Sequence, residues 1–168
     1  MGFNMQFDIS NMTIEELYEK IDIQARKNDL KSKDKKTLKS TIRTLSSAYY
    51  YIQREDALEA LTQYYQQQMH NLDDIEFFFD AVGNQCNYAL YKMILKDLSQ
   101  NKNFYRKKHL VNKVLNQLSF IHDELSDDDK DELVNIIENS VWGKKLKDKF
   151  IDKIREDNED EAFEYLFG

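Results

Sequence analysis

The stretch 38-LKSTIRTLSSAYYYI-52 decides the fold. Leu38, Ile42, Leu45, Tyr49 and Ile52 recur at intervals of 4, 3, 4 and 3. That is one apolar stripe along an α-helix, whereas a half-buried strand would alternate with a period of two. The same period recurs on both sides. Upstream, Thr13 and Glu16 fit a capping box, and Ile14, Leu17, Ile21 and Ala25 follow at helical spacing. Residues 26–36 are polar and Lys-rich and read as a loop. Downstream, Ala57, Leu58, Leu61, Tyr64 and Tyr65 restart the stripe, with Arg54-Glu55-Asp56 as either a break or a continuation. Asn71 or Asp73 caps a helix carrying Ile75, Phe78, Phe79 and Val82, and Gly83-Asn84 ends it. Cys86, Ala89, Leu90, Met93, Ile94 and Leu98 make the next helix, and Ser99–Asn103 is a loop. Leu110, Val114, Leu118 and Ile121 define another helix. Ser126 caps one with Leu133, Val134 and Ile137. After Gly143 comes one with Leu146, Phe150 and Ile154.

The expected fold is therefore all-α. It has roughly eight short-to-medium helices stacked as antiparallel hairpins, either a bundle or a short HEAT-like solenoid. A single domain over 1–168 is expected, with residues 1–12 as an N-terminal arm and 156–168 as an acidic-aromatic tail. Within the arm, Phe3, Met5, Phe7 and Ile9 alternate with polar residues, the period of a short strand. A shift of 55 residues lays Asp73-Asp74 on Asp128-Asp129, and Phe78-Phe79 on Leu133-Val134, as a degenerate two-helix repeat would.

Composition narrows the class. The chain has no Pro and 4 Gly in 168 residues, which disfavours turn-dense β-sandwiches and collagen-like sequences. Ten Phe and ten Tyr supply a core that a disordered chain lacks. Cys86 is the only cysteine, so no internal disulfide forms, as expected of a cytoplasmic protein. The first residues have neither a basic nor an apolar signal region, and no apolar run spans a bilayer, so no membrane role is expected.

The net charge of −7 is unevenly spread. Residues 20–43 hold nine basic and three acidic side chains, and residues 101–117 hold five basic and no acidic ones. Residues 118–168 hold seven basic and sixteen acidic side chains. The basic segments 26–43 and 102–113 offer phosphate contacts through Lys31, Lys33, Lys35, Lys36, Lys102, Arg106, Lys107 and Lys108. The acidic third can steer onto a basic protein surface.

No catalytic or cofactor signature is present. Gly-x-Gly-x-x-Gly, Walker A and Gly-x-Ser-x-Gly patterns are all missing, and His70, His109 and His122 fit no zinc spacing. Asp127–Glu138 resembles a calcium loop until its sixth position, where Glu132 replaces the glycine that the turn needs. It reads better as a capped helix start. Cys86 reads as a small hydrophobe. The aromatic runs Tyr49-Tyr50-Tyr51 and Phe77-Phe78-Phe79 cannot all face one core, because successive helical residues are about 100° apart. Tyr50, Tyr51 and Phe77 are therefore candidate contact residues, with Asp127, Asp128, Asp131, Glu159, Asp160 and Glu161 as acidic partners.

The expectation is a non-enzymatic, cofactor-free protein-binding module that neutralises a partner with a basic surface. Immunity proteins and phage or mobile-element anti-defence inhibitors act in this way. The alternative is a nucleic-acid-associated regulator or replication accessory using the two basic segments. Self-association is compatible with either.

Overall fold

The computed structural model describes residues 12–156. These form nine α-helices, and no strand occurs among them. The alternating stretch 3–9 and the tail beyond Glu156 lie outside the described residues. Contacts divide the chain between Gln85 and Cys86 into two compact units.

Unit 1 holds α1 (Ile14–Glu19), α2 (Ile23–Asp29), α3 (Lys35–Ile52), α4 (Glu55–Gln68) and α5 (Leu72–Val82), then a 3-10 turn at Gly83–Gln85. The stripe of α3 is its centre, and α3 packs against the other four helices. Ile42, Leu45 and Ala48 are fully buried, as are Leu61 of α4 and Phe78 of α5, with Tyr65 and Phe79 nearly so, and α3 packs on both helices. Each such large side chain contributes about 1.5–3 kcal/mol by leaving water. The Phe78 ring lies 5.3 Å from Tyr65 and 6.3 Å from Tyr64. The buried Thr41, Ser46 and Ser47 are small enough for close helix approach. Ser46 Oγ donates to Gln85 O at 2.6 Å, and Thr41 Oγ1 donates back to Thr37 O.

Short polar side chains fix the helix starts. Thr13, Asp22, Asp34 and Asn71 each accept the amide proton of the residue three positions on, at 2.9–3.3 Å. Such a cap contributes about 1 kcal/mol. Asp22 corrects the continuous helix expected from Ile14 to Ala25. It opens a separate helix that runs to Asp29, so the loop expected at 26–36 shrinks to Leu30–Asp34. The carbonyls exposed by that break are taken up by Arg54. Its Nη1 donates to Tyr18 O at 3.0 Å, Glu19 O at 3.3 Å and Ile21 O at 2.8 Å. Its other nitrogens hold Asp56 at 3.0 and 2.7 Å, which keeps that carboxyl below its usual range. Gln53 in the left-handed region separates α3 from α4, so Arg54-Glu55-Asp56 begins a new helix.

The end of α5 is closed by Gly83 and Arg43. Gly83 has φ +61°, which favours glycine, and a Cβ there would lie 3.0 Å from Arg43 Nη2. Arg43 donates from Nε to Ala81 O at 2.9 Å and from Nη2 to Asp80 O at 2.8 Å. A guanidinium on the last carbonyls also complements the negative end of the helix dipole.

Unit 2 holds α6 (Tyr88–Ser99), a 3-10 turn at Phe104–Arg106, α7 (Lys108–Ile121), a 3-10 turn at His122–Glu124, α8 (Asp127–Glu138) and α9 (Lys144–Arg155). Cys86 precedes the N-cap Asn87, so it lies outside the helix in which the apolar spacing places it. The core joins Leu90, Ile94 and Leu98 to Leu110, Val114 and Leu118, with Leu133, Ile137, Phe150 and Ile154. Tyr91, fully buried, donates its hydroxyl to Val114 O at 3.0 Å. Trp142 packs 5.0 Å from Phe104 and 4.9 Å from Phe150, and its Nε1 donates to Leu98 O at 2.8 Å. With Val141 N donating to Ser99 O at 2.8 Å, this ties the Ser140–Gly143 turn to the end of α6. Helices α5 and α6 begin at residues 72 and 88, and α8 and α9 begin at 127 and 144. The 55-residue shift in sequence is thus matched in helix starts to within one residue.

Two outcomes are expected. Arg54→Ala removes the side-chain donor that three carbonyls share, leaving Glu19 O and Ile21 O unpaired, and costs about 2 kcal/mol. Amide hydrogen exchange then accelerates in α1 and α2, and Arg54→Lys does not restore it. Trp142→Ala destabilises by about 3–5 kcal/mol, and Trp142→Phe by about 1–2 kcal/mol through the lost donor to Leu98. Urea unfolding followed by far-UV circular dichroism measures both.

Candidate functional site

Unit 1 presents an exposed aromatic surface. Tyr50 and Tyr51 are each 43% exposed at the end of α3. Their rings meet edge to face with centroids 5.1 Å apart, and Tyr51 stacks on Tyr18 of α1 at 5.4 Å. Ile14 and Leu17, 50% and 37% exposed, share the Tyr18 side of α1 at positions i, i+3 and i+4. Helix α1 has no buried residue, so its apolar side is spent on this surface rather than on the core. Glu15, Glu16 and Glu19 on the same short helix are exposed, and α1 carries no basic residue. A desolvatable aromatic centre with an acidic rim results.

Tyr50 and Tyr51 are thus exposed as their spacing requires, while Phe77 is not part of that surface. It is half-buried beneath Lys35, whose Nζ lies 5.5 Å from the ring centroid. Lys35 begins α3, so about 22 Å of helix rise separates it from Tyr50. Ile14, Leu17, Tyr18 and the α1 glutamates were missed by sequence reasoning. Their signal was an amphipathic helix of 6 residues, too short to bury its own face.

The acidic candidates divide. Asp127 and Asp128 are exposed in the first turn of α8, where they oppose the positive end of the helix dipole. Ser126 and Asp129 form a complete capping box, so the calcium-like stretch is a helix. Asp131 is engaged by Arg155 Nη2 at 2.8 Å. Glu159, Asp160 and Glu161 lie outside the described residues.

The basic candidates divide as well. Lys31 and Lys33 line a cleft of about 510 Å³ in unit 1 with Lys27, Gln63, Gln67 and Tyr64. Lys36 is exposed on α3, Lys35 covers Phe77, and Arg43 is committed to the end of α5. Lys102 is exposed, Lys107 is the N-cap of α7, and Lys108 is that helix's first residue. Arg106 lies over the ring of its neighbour Tyr105.

No group of three or more His, Cys, Asp or Glu side chains among the described residues could hold a metal ion. No helix among them is long and apolar enough to cross a membrane. In unit 2, Tyr88 donates its hydroxyl to Glu132 Oε2 at 2.9 Å, and Lys92 pairs with the same carboxylate. Those partners hold Glu132 below its usual range, while burial and that hydrogen bond push Tyr88 up.

Cys86 is fully buried, and desolvation pushes its thiol up to about 12. The thiolate is the reactive form, so a thiol reagent at pH 8 leaves native protein unlabelled and titrates one group after denaturation. Rapid labelling of the native state would overturn this assignment. Comparisons of the chain with protein-family models, curated proteins and solved structures find no match.

Proposed function

We propose that the protein is a non-enzymatic binding module that neutralises a partner protein by docking it on the Tyr18–Tyr50–Tyr51 surface of unit 1. One observation carries this reading: three tyrosines, two of them well exposed, pack on one another beside exposed Ile14 and Leu17. Tyrosine buries a large rigid area at low entropic cost and keeps a polar tip, which is why it concentrates at interface hot spots. The rings already hold one another in place, so little side-chain entropy remains to be lost on docking.

The rim of Glu15, Glu16 and Glu19 favours a partner with basic groups around an apolar patch. Such a rim acts mainly on the association rate and weakens with salt. Inhibitors of the immunity or anti-defence kind need this combination, fast capture and a firm apolar centre, and they need no chemistry. A cytoplasmic setting fits the single reduced cysteine. Stacked helical hairpins are the architecture that the packing of α3 on α4 in unit 1 and of α8 on α9 in unit 2 favours.

Affinity capture from source-cell lysate tests the proposal, with the wild type and Tyr50→Ser/Tyr51→Ser compared with and without nuclease. A near-stoichiometric protein is expected that survives nuclease and is lost with the double variant. Loss of two hot-spot rings corresponds to about 30-fold or more in affinity. Retention of the same partner by the variant would refute the site. Capture lost on nuclease treatment would refute the class.

A further inference from the structure

We propose that unit 2 carries a separate groove for single-stranded nucleic acid, formed where the Phe104–Arg106 turn meets the starts of α7 and α9. The cavity is about 620 Å³. Val111 and Leu146 supply its apolar part, Lys108, Lys145 and Lys149 its charge, and Tyr105 its exposed ring. All three lysines are exposed, and the ion pairs of the described residues involve none of them. Lysines 37 and 41 positions beyond Lys108, inside a stretch that is acidic as a whole, are brought to it by the packing of α7 on α9.

The turn is held from beneath. Phe104 is fully buried against Trp142 and Phe150, so Tyr105 and Arg106 are fixed outward by the core. The Arg106 guanidinium lies 5.5 Å from the Tyr105 ring centroid, and its Nε donates to the Tyr105 hydroxyl at 3.0 Å. Tyr105, 56% exposed, and the guanidinium beside it make a cationic aromatic platform. A nucleobase stacks on such a surface, and the glutamates of an acidic peptide have no aromatic face to offer it. A duplex keeps its base faces covered.

The helix starts supply an independent observation. Helices α7 and α9 begin without a side-chain cap, and their first residues are lysines: Lys108, then Lys144 and Lys145. Helix α3 also begins on lysines, but Asp34 caps it, and α1, α4, α5 and α8 carry acids in the first turn. A cation at a helix N-terminus opposes the dipole and weakens folding. Two such starts converge on one groove, where amide protons and lysines together suit a phosphate brought from outside. The net charge of −7 does not prevent this, because fields are screened beyond about 8 Å at physiological salt.

Fluorescence anisotropy with a labelled oligothymidylate of about 12 nucleotides, a length within the usual site sizes, tests the groove on the full chain. Three lysine–phosphate contacts predict a log–log salt slope of about −2, so binding weakens about 20-fold between 50 and 200 mM salt. Lys108→Glu/Lys145→Glu/Lys149→Glu is expected to weaken binding at least 20-fold and to flatten the slope. Tyr105→Ala is expected to weaken it about tenfold at unchanged slope, since stacking is not ionic. The thermal midpoint of the triple variant should not fall, because glutamates suit the helix starts at 108 and 145 and position 149 is exposed. Should it fall, the corresponding glutamines replace them and must still flatten the slope. Absence of salt-dependent binding overturns the proposal, as does binding that survives the triple substitution. Equal affinity for a duplex or for polyglutamate overturns the single-strand assignment. Tyr50→Ser/Tyr51→Ser leaves this binding unchanged, so the groove and the unit 1 surface stand or fall separately.

Discussion

Six of the nine described helices start on one recurring interaction. A short side-chain oxygen accepts the amide proton three residues ahead. Thr13, Asp22, Asp34, Asn71, Asn87 and Ser126 all do so. With no proline and few glycines, the chain has little else to punctuate it. The caps set where each apolar stripe begins, and hence its angular phase against its neighbours. A helix started one residue late turns its stripe by about 100°. Core assembly around α3 in unit 1, and around α6 and α8 in unit 2, depends on those phases.

Periodicity made the long helices legible. The stripe from Leu38 to Ile52, the cap at Asn71, the stop at Gly83 and the capping box at Ser126 all stand where local chemistry puts them. Local chemistry also misleads where a distant group decides. The break after Glu19 depends on Asp22 and on a guanidinium at Arg54, more than thirty residues away. No window around Ile21 contains that information. Cys86 fits an apolar spacing yet precedes its helix, because Asn87 caps two positions later than the spacing implies.

The sites were legible to a lesser degree. Helical geometry alone forces some of Tyr49-Tyr50-Tyr51 outward, and Tyr50 and Tyr51 are exposed. It cannot tell that Phe77 lies under Lys35, or that Tyr18 completes the stack on Tyr51. Block charge was coarser still. The acidic C-terminal third conceals α9, where Lys144, Lys145, Lys147, Lys149, Lys153 and Arg155 face only Asp148 and Asp152. Charge counted along the chain averages what folding sorts by face.

The pairing of Arg43 with Gly83 constrains how the sequence can drift. The space that a side chain at position 83 would need is filled by the guanidinium that closes α5. Position 43 can change while position 83 stays glycine, at the expense of two hydrogen bonds. The reverse order must displace that guanidinium by a few tenths of an ångström and meets a backbone that disfavours any other residue. The path between related sequences is therefore directional at these two positions. Variation at 43 beneath an unchanged glycine at 83 is the trace that such contingency leaves.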